Sequence, residues 1–247
     1  VANDTQIPAP RVTIADASQD NIPTREWFRF FSNLYEFIGL GGGVVPTTSG
    51  GTGVTFYTKG DLLYASEDNV LAKLPVPGAA AYLGTDDTNM PQWIKVAYGA
   101  FTNTTTQTAP ASTPTGITFN NTDYAQNVTI DGSKITLVNA GLYTIIFSLQ
   151  LSNPSTSSED DAIVWLRING TNIANTGSTM TVAKSHGGTA GSAIMTVNFF
   201  QRFEAGDYFE IYGMSVAGYL QLKTYAAGTS PAYPASPAAI LTVSQII

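Results

Sequence analysis

Few side chains in this sequence are equipped for catalysis. Its one histidine, His186, stands in "AKSHGGTAGS", so a Ser-His-Asp relay would have to be built on a Gly-rich loop rather than a rigid elbow. Glu204, Asp207 and Glu210 offer the two carboxylates that glycoside hydrolysis needs, one to protonate the leaving oxygen and one to attack or activate water. Glu204 and Asp207, however, bracket an Ala-Gly turn between two strand patterns, and Glu210 follows on a strand, which reads as structural. Glu159, Asp160 and Asp161 carry the hard oxygens calcium prefers, but three consecutive acids diverge and the spaced ligands of a calcium loop are missing. The "GGTG" at 50–53 lacks the lysine and following helix of a phosphate cradle. Cysteine is absent, which excludes disulfides and thiolate chemistry. The sequence therefore assigns no catalytic residue, no metal ligand and no cofactor, and the expectation is a protein that binds rather than an enzyme.

Composition narrows the partners. The 247 residues are 43% apolar, enough for a sizeable core, while only 12% are charged. Net charge is −7, with both the first 97 residues and the remainder acidic. Without a basic patch to release counterions, nucleic-acid binding and attraction to an acidic membrane are not expected. Apolar runs fall short of the roughly 18 residues that span a bilayer, so no membrane insertion is expected, and the start has no leader pattern, which points to synthesis in a cytosol. Protein or neutral glycan is the expected partner.

What must position such contacts is a chain in three parts. Residues 1–43 begin with a Pro-punctuated extended arm and continue into "TREWFRFFSNLYEFIG", a helix that Thr24 can cap and Gly39 can end. Trp27, Phe31, Leu34 and Ile38 form one stripe on it, flanked by Phe28 and Tyr35. So wide an apolar surface on a short helix predicts association with sister copies or a docking wall. Residues 44–97 follow a Gly-dense joint with short strand patterns in "FYTKGDLLYASEDNVLAKL" and a stretch closing on Trp93. That is too little to bury a core alone, and intertwining with identical neighbours is the economical solution. Residues 98–247 open with a Thr/Ala/Pro loop, "FTNTTTQTAPASTPTG", and then read as strands at 126–130, 133–138, 141–151, 162–168, 172–181, 192–203, 207–215, 218–225 and 238–246. Asp131-Gly132 and Asn169-Gly170 suit type I′ hairpin turns. Tyr143, Ile145, Phe147, Leu149 and Leu151 share the core face of their strand. Around Phe209 and Ile211, the alternate residues Tyr208, Tyr212 and Met214 form a second large face that predicts an interface between copies. Loops at 152–161, 183–191 and 226–239 suit glycan or protein contact, with Tyr225 and Tyr233 as candidate stacking groups.

Two resemblances add to this reading. The run "SGGTG…YTKGDLLYA…LAKLPVPGAAAYLG…MPQWIKV" resembles the collar module of bacteriophage tail-fibre and other virion-fibre proteins. The motifs "NVTIDGSKITLVNAGLYTIIFSLQL", "VWLRINGTNIA" and "VNFFQRFEAGDYFEIYG" resemble the jelly-roll of tumour-necrosis-factor-like and complement-head-like trimers. Together they imply a mainly β protein: a short N-terminal amphipathic helix, a small β collar and a C-terminal antiparallel jelly-roll sandwich, homotrimeric about a threefold axis. The function they imply is a phage tail fibre or spike on the virion surface, anchored to other virion proteins by its first 43 residues and engaging a host-surface glycan or protein. A head fibre or capsid decoration protein is the alternative. A glycan-degrading tailspike is a third reading, without the β-helix repeat that usually carries it.

Overall fold

Pro23 ends an extended segment and Thr24 begins helix α1 (Arg25–Phe37). The computed structural model describes residues 13–18, 22–37, 51–79, 81–86, 88–108 and 111–246; Ile38, Gly39, the Gly-dense joint up to residue 50 and the first 12 residues of the arm lie outside them. Thr24 accepts the Phe28 amide through its carbonyl (2.8 Å). Its hydroxyl, expected to cap the helix, instead donates to the Thr13 carbonyl at 2.8 Å. That bond and the antiparallel pairing of Ala15–Asp16 with Ile22–Pro23 fold the end of the arm back onto the helix start.

Two hairpins follow. Strands β1 (Leu62–Glu67) and β2 (Val70–Leu74) turn through Asn69, which takes the left-handed conformation (φ 62°) that asparagine tolerates. Strands β3 (Tyr82–Thr85) and β4 (Pro91–Ile94) form the second pair. Polar clamps hold them: Asp61 accepts the Thr58 and Val76 amides at 2.7 and 2.9 Å and pairs with Lys73 at 3.1 Å. Asp86 accepts the Thr88 and Met90 amides, and the Trp93 indole donates to the Pro75 carbonyl at 2.7 Å. Among the described residues before Lys95, none is buried.

The chain divides into two units, Val1–Ile94 and Lys95–Ile247, and the sandwich is the second. Its strands are β5 (Tyr98–Asn103), β6 (Asn121–Gln126), β7 (Val128–Asp131), β8 (Lys134–Leu137), β9 (Gly141–Asn153), β10 (Asp160–Ile168), β11 (Ser178–Val182), β12 (Gly191–Phe203), β13 (Tyr208–Ser215) and β14 (Ala239–Gln245). One sheet runs β6-β5-β14-β9-β12 and the other β7-β8-β13-β10-β11, all antiparallel. The pairs β5·β14, β8·β13, β9·β12 and β10·β11 nest a long hairpin folded over on itself, which is the jelly-roll topology. Residues of β9 alternate in and out, and Tyr143, Ile145, Phe147, Leu149 and Leu151 are all buried, as the sequence predicts. They meet Ile135, Leu137, Val164, Leu166, Phe209 and Ile211 from the opposite sheet.

Four expectations need correction. Residues 101–116 are not all loop: Tyr98–Asn103 is β5, a strand with Phe101 fully buried between β6 and β14. The strand expected at 172–181 breaks into Thr171–Asn172 and β11 because Asn175 turns with φ 63°, and that at 218–225 shrinks to Gln221–Leu222. Asn169-Gly170 has the two positive φ values (49° and 79°) of a type I′ turn, but in the other hairpin Asp131 pairs with Lys134. The loop there is Gly132-Ser133, with positive φ only at Gly132, the pattern of type II′.

Asp160 locks one end of the sandwich. It is buried, and its carboxylate accepts the Ser215 hydroxyl (2.5 Å) and the Ala217 and Tyr219 amides (2.8 Å each). Burial by itself raises the pKa of this carboxyl; the hydrogen bonds from Ser215, Ala217, Tyr219 and Asp161 outweigh it and hold the group below the usual aspartate value. A carboxyl more acidic folded than unfolded stabilises in full above its unfolded pKa and loses that contribution as pH falls through the folded value. Asp160→Asn should therefore cost about 1–3 kcal/mol at pH 7 and flatten the acid limb of the stability profile, both measured by urea denaturation between pH 2 and 7. Phe147→Ala, a pure core truncation, should cost about 3–5 kcal/mol without changing that pH dependence.

Candidate functional site

The groups that could have done chemistry are spent on structure. The carboxylate of Asp207 accepts the Glu204 amide (2.7 Å) and the Asn169 side chain (2.7 Å), tying the 204–207 turn to the neighbouring hairpin. Glu210 is buried on the outer side of β13, where it accepts the Ser133 hydroxyl at 2.7 Å and lies 4.0 Å from Arg167. Asp161 points away from Asp160 and accepts the Thr181 hydroxyl. Exposed His186 makes a backbone pair with Thr189, and its imidazole bonds to no described residue. Among the described residues, no three acids or imidazoles converge on one point.

Surface chemistry distinguishes the two sheets. On the outer face of β7-β8-β13-β10-β11 lie Tyr208, Tyr212 and Met214, the residues expected to form the interface, and each is half-buried. Lys134 stands 4.9 Å over the Tyr208 ring and the Arg167 guanidinium 4.1 Å over Tyr212, whose other neighbour is Trp165 at 6.0 Å. The covering groups come from the chain itself and bring charge with them.

The other sheet is bare. Register places Ile194 and Phe200 of β12, Ile146 of β9, Ile240 of β14 and Tyr98 of β5 on one outward face, and all are exposed, Phe200 to 63%. Tyr124 of β6, 74% exposed, borders them. Between them run hydroxyls and amides that satisfy one another, such as Thr144 to Asn198 at 2.9 Å. Of the outward residues on β5, β14, β9 and β12, Arg202 is the one formal charge. A face that sets exposed large apolar side chains among uncharged polar ones has the composition of an interaction surface. Sequence reasoning separated the two sides of β9 but did not align its outer side with Ile194, Phe200 and Ile240.

On α1, Trp27 and Leu34 are half-buried while Phe28, Phe31 and Tyr35 are exposed, Phe28 to 62%. Phe28, Phe31, Ser32 and Tyr35 line a shallow depression with Pro23, and Trp27, Phe30 and Phe31 stack on one another within 5.7 Å. Tyr225 and Tyr233 share one loop closed by the Tyr225–Ser236 backbone pair (3.0 and 2.9 Å). Lys223 lies 5.4 Å over Tyr225, and Tyr233 is exposed with its ring against Gly228.

No protein-family model and no curated protein matches this chain. Among solved structures it is similar to the globular domain of zebrafish complement 1qA protein, with 12% identity over 61% of this chain and 98% of that one and a TM-score of 0.37. It is also similar to murine APRIL, with 9% identity over 62% of this chain and 100% of that one and a TM-score of 0.38. The jelly-roll assignment rests on the strand pairing described above.

Covered and uncovered aromatics should answer differently to truncation. Tyr212→Ala, which strips the ring from beneath Arg167, should lower stability by about 1–2 kcal/mol. Tyr233→Ala should stay within about 0.5 kcal/mol, both read from denaturation midpoints.

Proposed function

We propose that this protein is a homotrimeric structural and adhesion component of a bacteriophage virion, a tail fibre or spike without catalytic activity. Its N-terminal part docks to other virion proteins, and its jelly-roll knob faces outward toward a host glycan or protein. The observation that carries this reading is the absence of any buried residue among the described residues before Lys95. Leu62, Leu63, Val70, Tyr82 and Leu83 stand exposed on two-stranded ribbons, which are marginal in water by themselves. Three copies wound together would give these side chains the neighbours one chain lacks. The bare sheet face of the knob, with Ile146, Ile194, Phe200 and Ile240, supports the same association from the other unit. The resemblance of the collar and knob motifs to fibre proteins and trimeric heads supports the virion setting. Three knobs presented together would make individually weak receptor contacts count, since linked contacts raise avidity by roughly 10²–10⁴.

Sedimentation equilibrium at micromolar concentration should return three times the chain mass. The pair Ile194→Glu and Phe200→Glu should shift the knob toward monomer with its circular dichroism unchanged. A single-chain mass for the unsubstituted protein would overturn the reading. Antibody labelling of virions should mark the tail; label spread over the shell would replace the tail fibre with a head fibre or decoration protein.

A further inference from the structure

One end of the sandwich is indented. Where Leu149 and Leu151 of β9 face Ala162 and Val164 of β10, a half-open cavity of about 310 Å³ enters between the sheets. Ile117, Leu220 and Leu222 complete its apolar wall. A half-open pocket of this size, with buried apolar side chains as its floor and neutral polar groups at its rim, suits a small ligand.

Three features say what kind. First, the residues around the space include glycines, and Gly213 is one the backbone does not require. Its φ lies outside the left-handed region, and an added Cβ would make only ordinary contacts, with Val164 Cγ2 at 3.4 Å, the Ile163 carbonyl at 3.6 Å and Ile117 Cδ1 at 3.7 Å. Gly116, by contrast, is forced by packing, since a Cβ there would strike Ser133 Oγ at 2.6 Å. Second, no charged side chain lines the cavity. Its polar groups are neutral: Gln107 is fully engaged with Thr118, whereas the Gln221 amide and the Thr108 hydroxyl bond to no described residue. Third, the rim at these residues is built from short pairings: Gln107–Thr108 joins Gln221–Leu222, and that segment meets β9 at Leu151, Ser152 and, through the Lys223 amide, the Gln150 carbonyl (2.9 Å).

We propose that this cavity binds a small neutral amphiphile. Its apolar body would sit among Leu149, Leu151, Val164 and Ile117, and an uncharged hydroxyl or amide head would reach Gln221 and Thr108. At about 30 Å³ per water-sized volume the space holds roughly ten such volumes, which suits a chain of about eight carbons with one terminal polar group. A carboxylate or ammonium head would be buried without a countercharge and is disfavoured. This site is separate from the sheet face and hairpins on which the proposed assembly rests, and binding here is independent of oligomeric state.

The test is a titration of the full-length protein, methyl-labelled at Ile, Leu and Val, with 1-octanol, followed by ¹³C–¹H correlation spectra. Saturable shifts should be confined to Ile117, Leu149, Leu151, Val164, Leu220 and Leu222, and octanoate should bind at least tenfold more weakly. Gly213→Val and, independently, Ala162→Leu fill the space and should each weaken octanol binding at least tenfold with the remaining spectrum preserved. The unsubstituted protein decides the matter even if neither variant folds. Shifts that fail to saturate up to the solubility of octanol, or that fall on Ile146, Ile194 and Ile240 of the outer face, would overturn the cavity site. Equal affinity for octanoate would overturn the neutral-head assignment.

Discussion

The pairing of β9 is the constraint from which the rest of the sandwich follows. It is hydrogen-bonded to β12 along all thirteen residues and to β14 from Tyr143 to Leu149, so its two faces are fixed against neighbours on both sides. A one-residue slip would exchange Tyr143, Ile145 and Phe147 for Thr144, Ile146 and Ser148 and empty the core. Tyr143 guards the register at its start: its hydroxyl donates to the Asn139 carbonyl at 2.8 Å, its ring meets Phe203 edge-on at 5.7 Å, and burial pushes its pKa up to about 12. Burial thus keeps the phenol protonated, and a donor to Asn139, above the ordinary tyrosine range.

The first 94 residues obey a different rule. There the specific contacts are polar and local, such as the Asp61 cradle, whose carboxyl is held below the usual aspartate value first by the Thr58 amide and then by the Val76 amide. Such clamps set the shape of a turn, and each hydrogen bond in them adds only about 0.5–1.5 kcal/mol net. Hydrophobic burial is the term that stabilises domains, and it is missing from these ribbons as single chains. The two units thus differ in what holds them, one by a buried core and the other, among its described residues, by local polar contacts.

Legibility in the sequence followed the locality of the signal. Five large residues at alternate positions from Tyr143 to Leu151 declare a core strand by themselves, and Asn169-Gly170 declares its turn. Strand β5 was opaque because "YGAFTN" carries one large aliphatic-facing ring, Phe101, and runs into Thr- and Asn-rich chain; its burial comes from β14, more than a hundred residues away. Tyr208 and Tyr212 were legible as large and outward, but a strand pattern cannot see Lys134 and Arg167 arriving from neighbouring strands to lie on them. The bare face and the cavity are products of register and of three distant segments meeting, so no window of sequence contains either. Helix α1 was plain from its period, while the partner of Thr24 depended on where Thr13 came to rest.

The near absence of charge on the outer face of β5, β14, β9 and β12 governs kinetics as well as strength. Arg202 is its one formal charge, so any steering of a partner from a distance would come from the chain's net charge of −7 rather than from the face itself. A complex formed there would weaken on cooling as apolar burial loses its drive, and would owe its persistence to slow departure rather than to rapid arrival.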